Sequence, residues 1–279
     1  MSEISEVGAP ATRYGRLPVA LAKISAGALA LAVLSMIYLH LVSIGRLDPL
    51  HTTVSDYVSV PSGGVFLALS TIAIALTTAL LPARLAMVGK PVPPAAKISL
   101  VLGCVGLFAS VVFPTNVLGT AADEATVLHR YAAALFFIAV PIAAVSLARA
   151  SLPRPATGAV LTSAAPARPA VTGRPAVTGR SAVVGPAMAA ALARSAAARL
   201  DRWMWRFGLL SALVGIAFLI SHIPLVFPGF PHADLIATVL PRGLVERLLL
   251  LIDIATIAVI SHSARPVSAH TSADRLVRS

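Results

Sequence analysis

The sequence predicts an all-α polytopic membrane protein, a bundle of six transmembrane helices with both termini on the cytoplasmic side. Three observations predict it. Hydrophobic residues fill 57% of the 279 positions and charged residues only 12%, where a soluble domain carries roughly a quarter. Mean hydropathy is +0.88. The apolar residues also fall in continuous runs long enough to cross a hydrocarbon core of ~30 Å, rather than in the alternating ten-residue segments of a barrel. The same numbers exclude an ordinary soluble domain and a disordered chain.

The first run covers Pro18 to Ile44, with Lys23 near its start and His40 near its end. No small-residue cleavage site precedes it, so it is expected to stay as a signal anchor. The second covers Gly64 to Leu81 and is expected to close at Pro82, since proline removes a helix donor. The third covers Ala95 to Phe113, ahead of Pro114. The fourth covers Val127 to Leu147 with Pro141 inside, a site for a kink that packed neighbours tolerate. The fifth covers Trp205 to Phe227 and the sixth Gly243 to Ile260.

Lys and Arg orient the bundle. Most of the 22 basic residues fall in the N-terminal tail over 1–17, the loop between spans two and three, the segment 150–202 and the tail 263–279. Only Arg46, Arg130, Arg242 and Arg247 fall on the other side. The positive-inside rule then places both termini in the cytoplasm. The net charge of +11 follows from that segregation and needs no nucleic-acid partner. The expected partners are membrane lipids and, if the chain is a transporter, a second copy in a homodimer. The expected location is the plasma membrane, specifically a bacterial inner membrane.

The segment 150–202 divides the membrane domain into 18–149 and 203–262. It holds three near-copies of a six-residue unit, Arg168–Gly173, Arg174–Gly179 and Arg180–Gly185. Proline or glycine in every unit opposes a helix, and nothing there can bury a core, so a disordered linker is expected. Within it, Ala187 to Arg202 is alanine-rich and reads as helix. Trp203 and Trp205 stand where an interfacial aromatic belt is expected.

Polar chemistry gathers on the predicted outer side. His40, His51, His129, His222 and His232, five of the seven histidines, lie there. The first outer loop reads Asp48-Pro-Leu-His51-Thr-Thr-Val-Ser55-Asp56-Tyr57. A helical turn would stack His51 on Ser55, with Asp56 placed to orient a histidine and Ser55 to act as a nucleophile. The plainer reading makes Asp48-Pro49 a turn and Ser55-Asp56 a local cap. Asp123 and Glu124 fit the start of the fourth helix, where the dipole favours acids. His51, His129 and His222 together would supply three ligands to a metal. Glu246 and Asp253, seven residues apart, share a helix face. Asp253 falls near mid-membrane, where an ionisable group should face protein or water, with Arg247 or Arg130 as its partner. Gly103 and Gly106 suggest close helix packing. The single cysteine, Cys104, excludes a disulfide framework. No His-Glu-x-x-His, phosphate loop or Gly-x-Ser-x-Gly motif is present.

The order of the first outer loop, the Phe113-Pro-Thr close of the third span, His129 at the fourth and Gly243-Leu-Val-Glu246-Arg247 at the last resembles the DUF998 family of bacterial six-span membrane proteins. The resemblance covers Ala20 to His262, interrupted by the long linker. It implies the six-span fold and supplies no activity. The expected function is therefore a membrane protein with an outer polar cluster of His51, Ser55, Asp56, His129, His222, Glu246 and Arg247. That cluster would bind a lipid headgroup, small ligand or metal. The alternatives are a metal-dependent intramembrane lipid hydrolase, a proton-coupled transporter using Asp253, and an assembly subunit. No cofactor is identified.

Overall fold

The computed structural model describes residues 16–151, 186–227 and 229–265, and these are helical with no strand among them. The long helices are α1 (Arg16–Ser43), α2 (Gly63–Met87), α3 (Pro94–Val112), α4 (Glu124–Ser151) and α5 (Pro186–Ser221). Two short helices follow, α6 (Ile223–Val226) and α7 (Ala233–Val239), and then α8 (Arg242–Ser263). A 3-10 turn over Ser55–Ser59 interrupts the loop between α1 and α2. The helices α1 to α5 are each long and apolar enough to cross a membrane. The protein is a multi-pass membrane protein on that ground. The three six-residue units and both tails beyond residues 16 and 265 lie outside the described residues.

Each long helix packs on its successor from α1 to α5, and α5 packs on α8. α8 also touches α1, α2 and α4, which places it inside the bundle. That position explains why α8 differs in composition from the other five. It carries Arg242, Glu246, Arg247 and Asp253 in 22 residues, and Glu246 and Asp253 are buried against protein. Charged side chains within a membrane protein take that placement because lipid offers them no partners. One end of the bundle gathers the loops 44–62, 113–123 and 222–241, and we call it the loop end. The opposite end carries Arg84, Arg149 and Arg206, and we call it the basic end.

Two elements run further than expected. α2 does not stop at Pro82 but continues to Met87. Packing outweighs the lost backbone bond, because Arg84 and Leu85 beyond the proline are buried. Arg84 donates from Nη1 to Ser261 Oγ at 3.0 Å and from Nη2 to the Ser261 carbonyl at 2.8 Å. A guanidinium thereby sits on the last turn of α8, the negative end of its dipole. α5 also starts early. The alanine-rich segment from Ala187 to Arg202, expected as a helix within the linker, is helical and runs without a break into the fifth span as one 36-residue helix. Alanine has the highest helix propensity, and the last proline of the segment is Pro186 at the first helical position.

Small residues set the helix spacing. A Cβ on Gly106 would stand 2.5 Å from the Ala132 carbonyl oxygen, and one on Gly103 would stand 3.3 Å from Ala139 Cβ. α3 and α4 therefore touch backbone to backbone, as small-residue faces do in membranes. Gly27 on α1 has open space around it. Gly106→Ala is expected to lower stability by about 1–3 kcal/mol through overpacking, and Gly27→Ala to leave it level or higher. Thermal denaturation of both variants in one detergent compares them, and equal midpoints would refute the close contact.

Candidate functional site

The loop between α1 and α2 is folded by its own polar side chains. The Asp48 carboxylate accepts from the Leu50 amide at 2.9 Å and pairs with His51 Nδ1 at 2.6 Å. The Asp48 carbonyl accepts from the Thr52 amide and hydroxyl. The hydrogen bond from His51 holds the Asp48 carboxyl below its ordinary range, with the Leu50 amide adding to it. Asp56 Oδ2 accepts from the Thr53 amide and hydroxyl at 2.6 and 2.9 Å. The first is the turn that Asp-Pro suggests; Asp56 reaches back to Thr53 and does not cap α2, which starts after Ser62 without a side-chain cap. His51 therefore does not stack on Ser55, since the turn that begins at Asp48 directs it back to Asp48. Asp56 serves Thr53 rather than a histidine, and Ser55 lacks a base.

α8 receives this folded loop at its N-terminus. Arg247 Nη1 donates to the carbonyls of Pro49, Thr52 and Gly243 at 2.7, 2.7 and 2.8 Å. Its Nη2 donates to the Tyr57 hydroxyl at 3.1 Å, and its guanidinium carbon lies 5.3 Å from the Tyr57 ring centre. One planar cation thus gathers three backbone acceptors and a fully buried tyrosine. The neighbouring Glu246 Oε2 accepts from the Val54 amide at 3.0 Å. Contact is closest at Gly243, where a Cβ would fall 2.1 Å from the Thr52 carbonyl oxygen. Arg247 is engaged here and is not the partner of Asp253. Asp253 instead accepts from Ser211 of α5 on Oδ1, and its Oδ2 is buried without a partner among the described residues.

Beneath the loop lies a cavity of about 130 Å³ lined by Ser55, Ser70, Thr71, Ser110, His129 and Glu246, among apolar neighbours from α1 to α4 and α8. Its chemistry follows from where its protons go. Ser70, Thr71 and Ser110 donate to the carbonyls of Ala32, Leu67 and Leu107. Thr53 spends its proton on Asp56, so Ser55 donates to Thr53 across 2.8 Å. His129 Nδ1 lies 2.8 Å from the Ser110 carbonyl and 3.0 Å from that of Phe113, so this nitrogen carries the proton. With Nδ1 as the donor, Nε2 is the acceptor position of the ring. Glu246 Oε2 is taken by Val54, which leaves Oε1 unpaired among the described residues. The cavity wall is thus rich in acceptors, and the Thr115 hydroxyl is its one side-chain donor without a partner among the described residues.

Three of the predicted cluster, Ser55, His129 and Glu246, line this one cavity. The others stand apart. His222 Nδ1 donates to the Phe218 carbonyl at 2.9 Å and its ring packs on Phe218. Among the described residues no three of His, Cys, Asp and Glu are placed to hold a metal ion. The site proposed from His51, His129 and His222 is therefore not formed, because each ring is turned to a local partner. Asp123 Oδ1 accepts from the Thr126 amide at 2.8 Å and caps α4. That amide holds the Asp123 carboxyl below its ordinary range.

The sequence pattern of a protein family of unknown function, DUF998, matches residues 25–180, more than half of the chain. The chain belongs to that family. No curated protein and no solved structure matches it. The DUF998 match contains His51, Ser55, Asp56 and His129, whereas His222, Glu246, Arg247 and Asp253 lie beyond it.

Sequence reasoning missed several functional neighbours. Tyr57 and the backbone carbonyls that Arg247 gathers carry no motif. Ser70 and Ser110 are ordinary helix serines until the helices are packed. Arg247→Ala is expected to cost about 1–3 kcal/mol, since buried carbonyls lose their donor, and Arg247→Lys to recover little of it for want of the planar fork. Limited proteolysis over residues 44–62 measures the release of the loop. Unchanged protection in Arg247→Ala would sink this assignment.

Proposed function

We propose that this protein is a six-span plasma-membrane protein, with both termini cytoplasmic, that binds a small hydrogen-bond-donating ligand of the amine class in the cavity beneath its outer loops. The observation that carries the reading is the acceptor-rich wall. Ser55, His129 and Glu246 come from three separate parts of the chain and line the same space, and the hydroxyl protons of Ser55, Ser70, Thr71 and Ser110 are spent elsewhere, which leaves that of Thr115. Glu246 Oε1 and His129 Nε2 have no donor among the described residues, so the wall favours an occupant that supplies N–H groups. A single water needs ~10–15 Å³ on the same measure, so about 130 Å³ has room for a ligand of several heavy atoms.

α8 supports the sixth crossing. Its 22 residues extend ~33 Å at ~1.5 Å per residue, which matches the ~30 Å core. The basic end supports the orientation through the positive-inside rule. The rival reading of proton-coupled transport through Asp253 has less support, because Asp253 does not line this cavity.

Two measurements test these readings. Ethanolamine is expected to raise the denaturation midpoint of the purified protein and choline, whose nitrogen has no N–H, to do less. The difference should shrink in Glu246→Gln and in His129→Phe. Equal response to both compounds in the wild type would remove the amine reading. For topology, single cysteines are placed by Ala121→Cys or Arg265→Cys in a Cys104→Ala background. The first should react with an impermeant maleimide on intact cells and the second only after permeabilisation. Labelling of Arg265→Cys on intact cells would contradict either the sixth crossing or the orientation.

A further inference from the structure

A second and larger cavity lies along the seam between α4 and α5. Its volume is about 430 Å³, and Phe137, Ile138, Pro141, Val145, Ile216 and Leu219 are among its lining residues. The α4 lining residues recur every three or four positions from Ala134 to Arg149, a single stripe on one face of the helix. Fifteen steps of ~1.5 Å make the stripe ~22 Å long, more than one leaflet of a ~30 Å core. The opposite wall on α5 includes Gly215, around which a Cβ would meet nothing within 4 Å. The space is a long, narrow, apolar trough.

Its charged residue stands at one end. Arg149 closes the trough at the basic end of the bundle. Its guanidinium carbon lies 5.2 Å from the Trp205 ring centre, a cation–π contact that positions the group without neutralising it. The ion pairs among the described residues are His51 with Asp48 and Lys90 with Asp201, so Arg149 has no acidic partner there. An apolar trough parallel to the helices, ending in an uncompensated guanidinium beside an interfacial tryptophan, has the order of groups in a phospholipid: a hydrocarbon chain, then a phosphate at the interface.

We propose that the seam between α4 and α5 is a binding site for one anionic phospholipid, with an acyl chain along the Phe137–Val145 stripe and the phosphate on Arg149. Arg149 binds the phosphate oxygens through its planar fork, and Gly215 keeps the trough open where the chain lies. The site rests on the multi-pass reading of α4 and α5; it meets the amine cavity only at Phe137, which lines both, and Arg149 and Gly215 line the trough alone. Failure of one leaves the other standing.

The chain has two tryptophans, so Trp203→Phe leaves Trp205, at the mouth of the trough, as the reporter. The single-tryptophan protein is reconstituted in phosphatidylcholine vesicles containing the same fraction of acyl-brominated phosphatidylglycerol or acyl-brominated phosphatidylcholine. Quenching of Trp205 is expected to be severalfold stronger with the brominated phosphatidylglycerol. Arg149→Gln should bring the two lipids level. Gly215→Leu, which fills open space, should reduce the excess while the denaturation midpoint holds. Arg206→Gln removes a nearby cation that packs on Trp203 instead and should keep the excess. Equal quenching by the two lipids with Arg149 intact overturns the proposal. So does an undiminished excess in Arg149→Gln or in Gly215→Leu. A loss in Arg206→Gln as large as in Arg149→Gln would mean general surface attraction and also overturns it.

Discussion

The grip of Arg247 on the first loop is the interaction on which the loop end depends. A guanidinium carries five N–H groups in one plane, and here it gathers the carbonyls of Pro49, Thr52 and Gly243 with the Tyr57 hydroxyl. The Pro49 and Thr52 carbonyls belong to a segment without regular helix or sheet, so they have no ladder to satisfy them. The loop folds tightly because α8 supplies that donor set, and Gly243 lets the two backbones meet. Glu246 follows Arg247 in position only because the loop brings the Val54 amide to it. The cavity, the buried tyrosine and the approach of α8 to α2 all follow from this contact.

α8 answers a conflict between composition and place. Its charges make it the least lipid-compatible of the long helices, and its interior position makes them tolerable. Arg84 at one end and Arg247 at the other fasten it to segments far away in the sequence. Between them Asp253 is held by Ser211 of α5. The five more apolar helices expose Leu, Ile, Val and Phe outward, as a surface facing hydrocarbon must. The centre of the bundle is an apolar core into which the polar contacts of α8 are set, and apolar surface also defines its exterior, where a soluble protein would be polar.

The helices were legible because length and hydropathy are local properties. So were the Asp48 turn and the Asp123 cap, each formed within four residues of sequence. The Gly103 and Gly106 pair announced close packing, and the helices meet there. What was not legible depends on contacts between distant segments. Pro82 was read as a stop, because the burial of Arg84 against Ser261 spans 177 residues. The sequence places the histidines at one end of the bundle but not whether they meet, and each lies against a carbonyl or carboxylate close in space. Glu246 could be placed near His51 by topology but not beside Val54, since nothing local encodes that pairing.

α5 carries a mechanical consequence. At 36 residues it is ~54 Å long, nearly twice the ~30 Å hydrocarbon thickness, and no break separates its two halves. The part that packs against α4 and α8 is therefore rigidly joined to a part standing clear of the bilayer on the basic side. A rod of that kind acts as a lever. Force or torque applied to residues 186–202 is delivered to Ser211 and to the seam with α4, with no hinge on the way to absorb it.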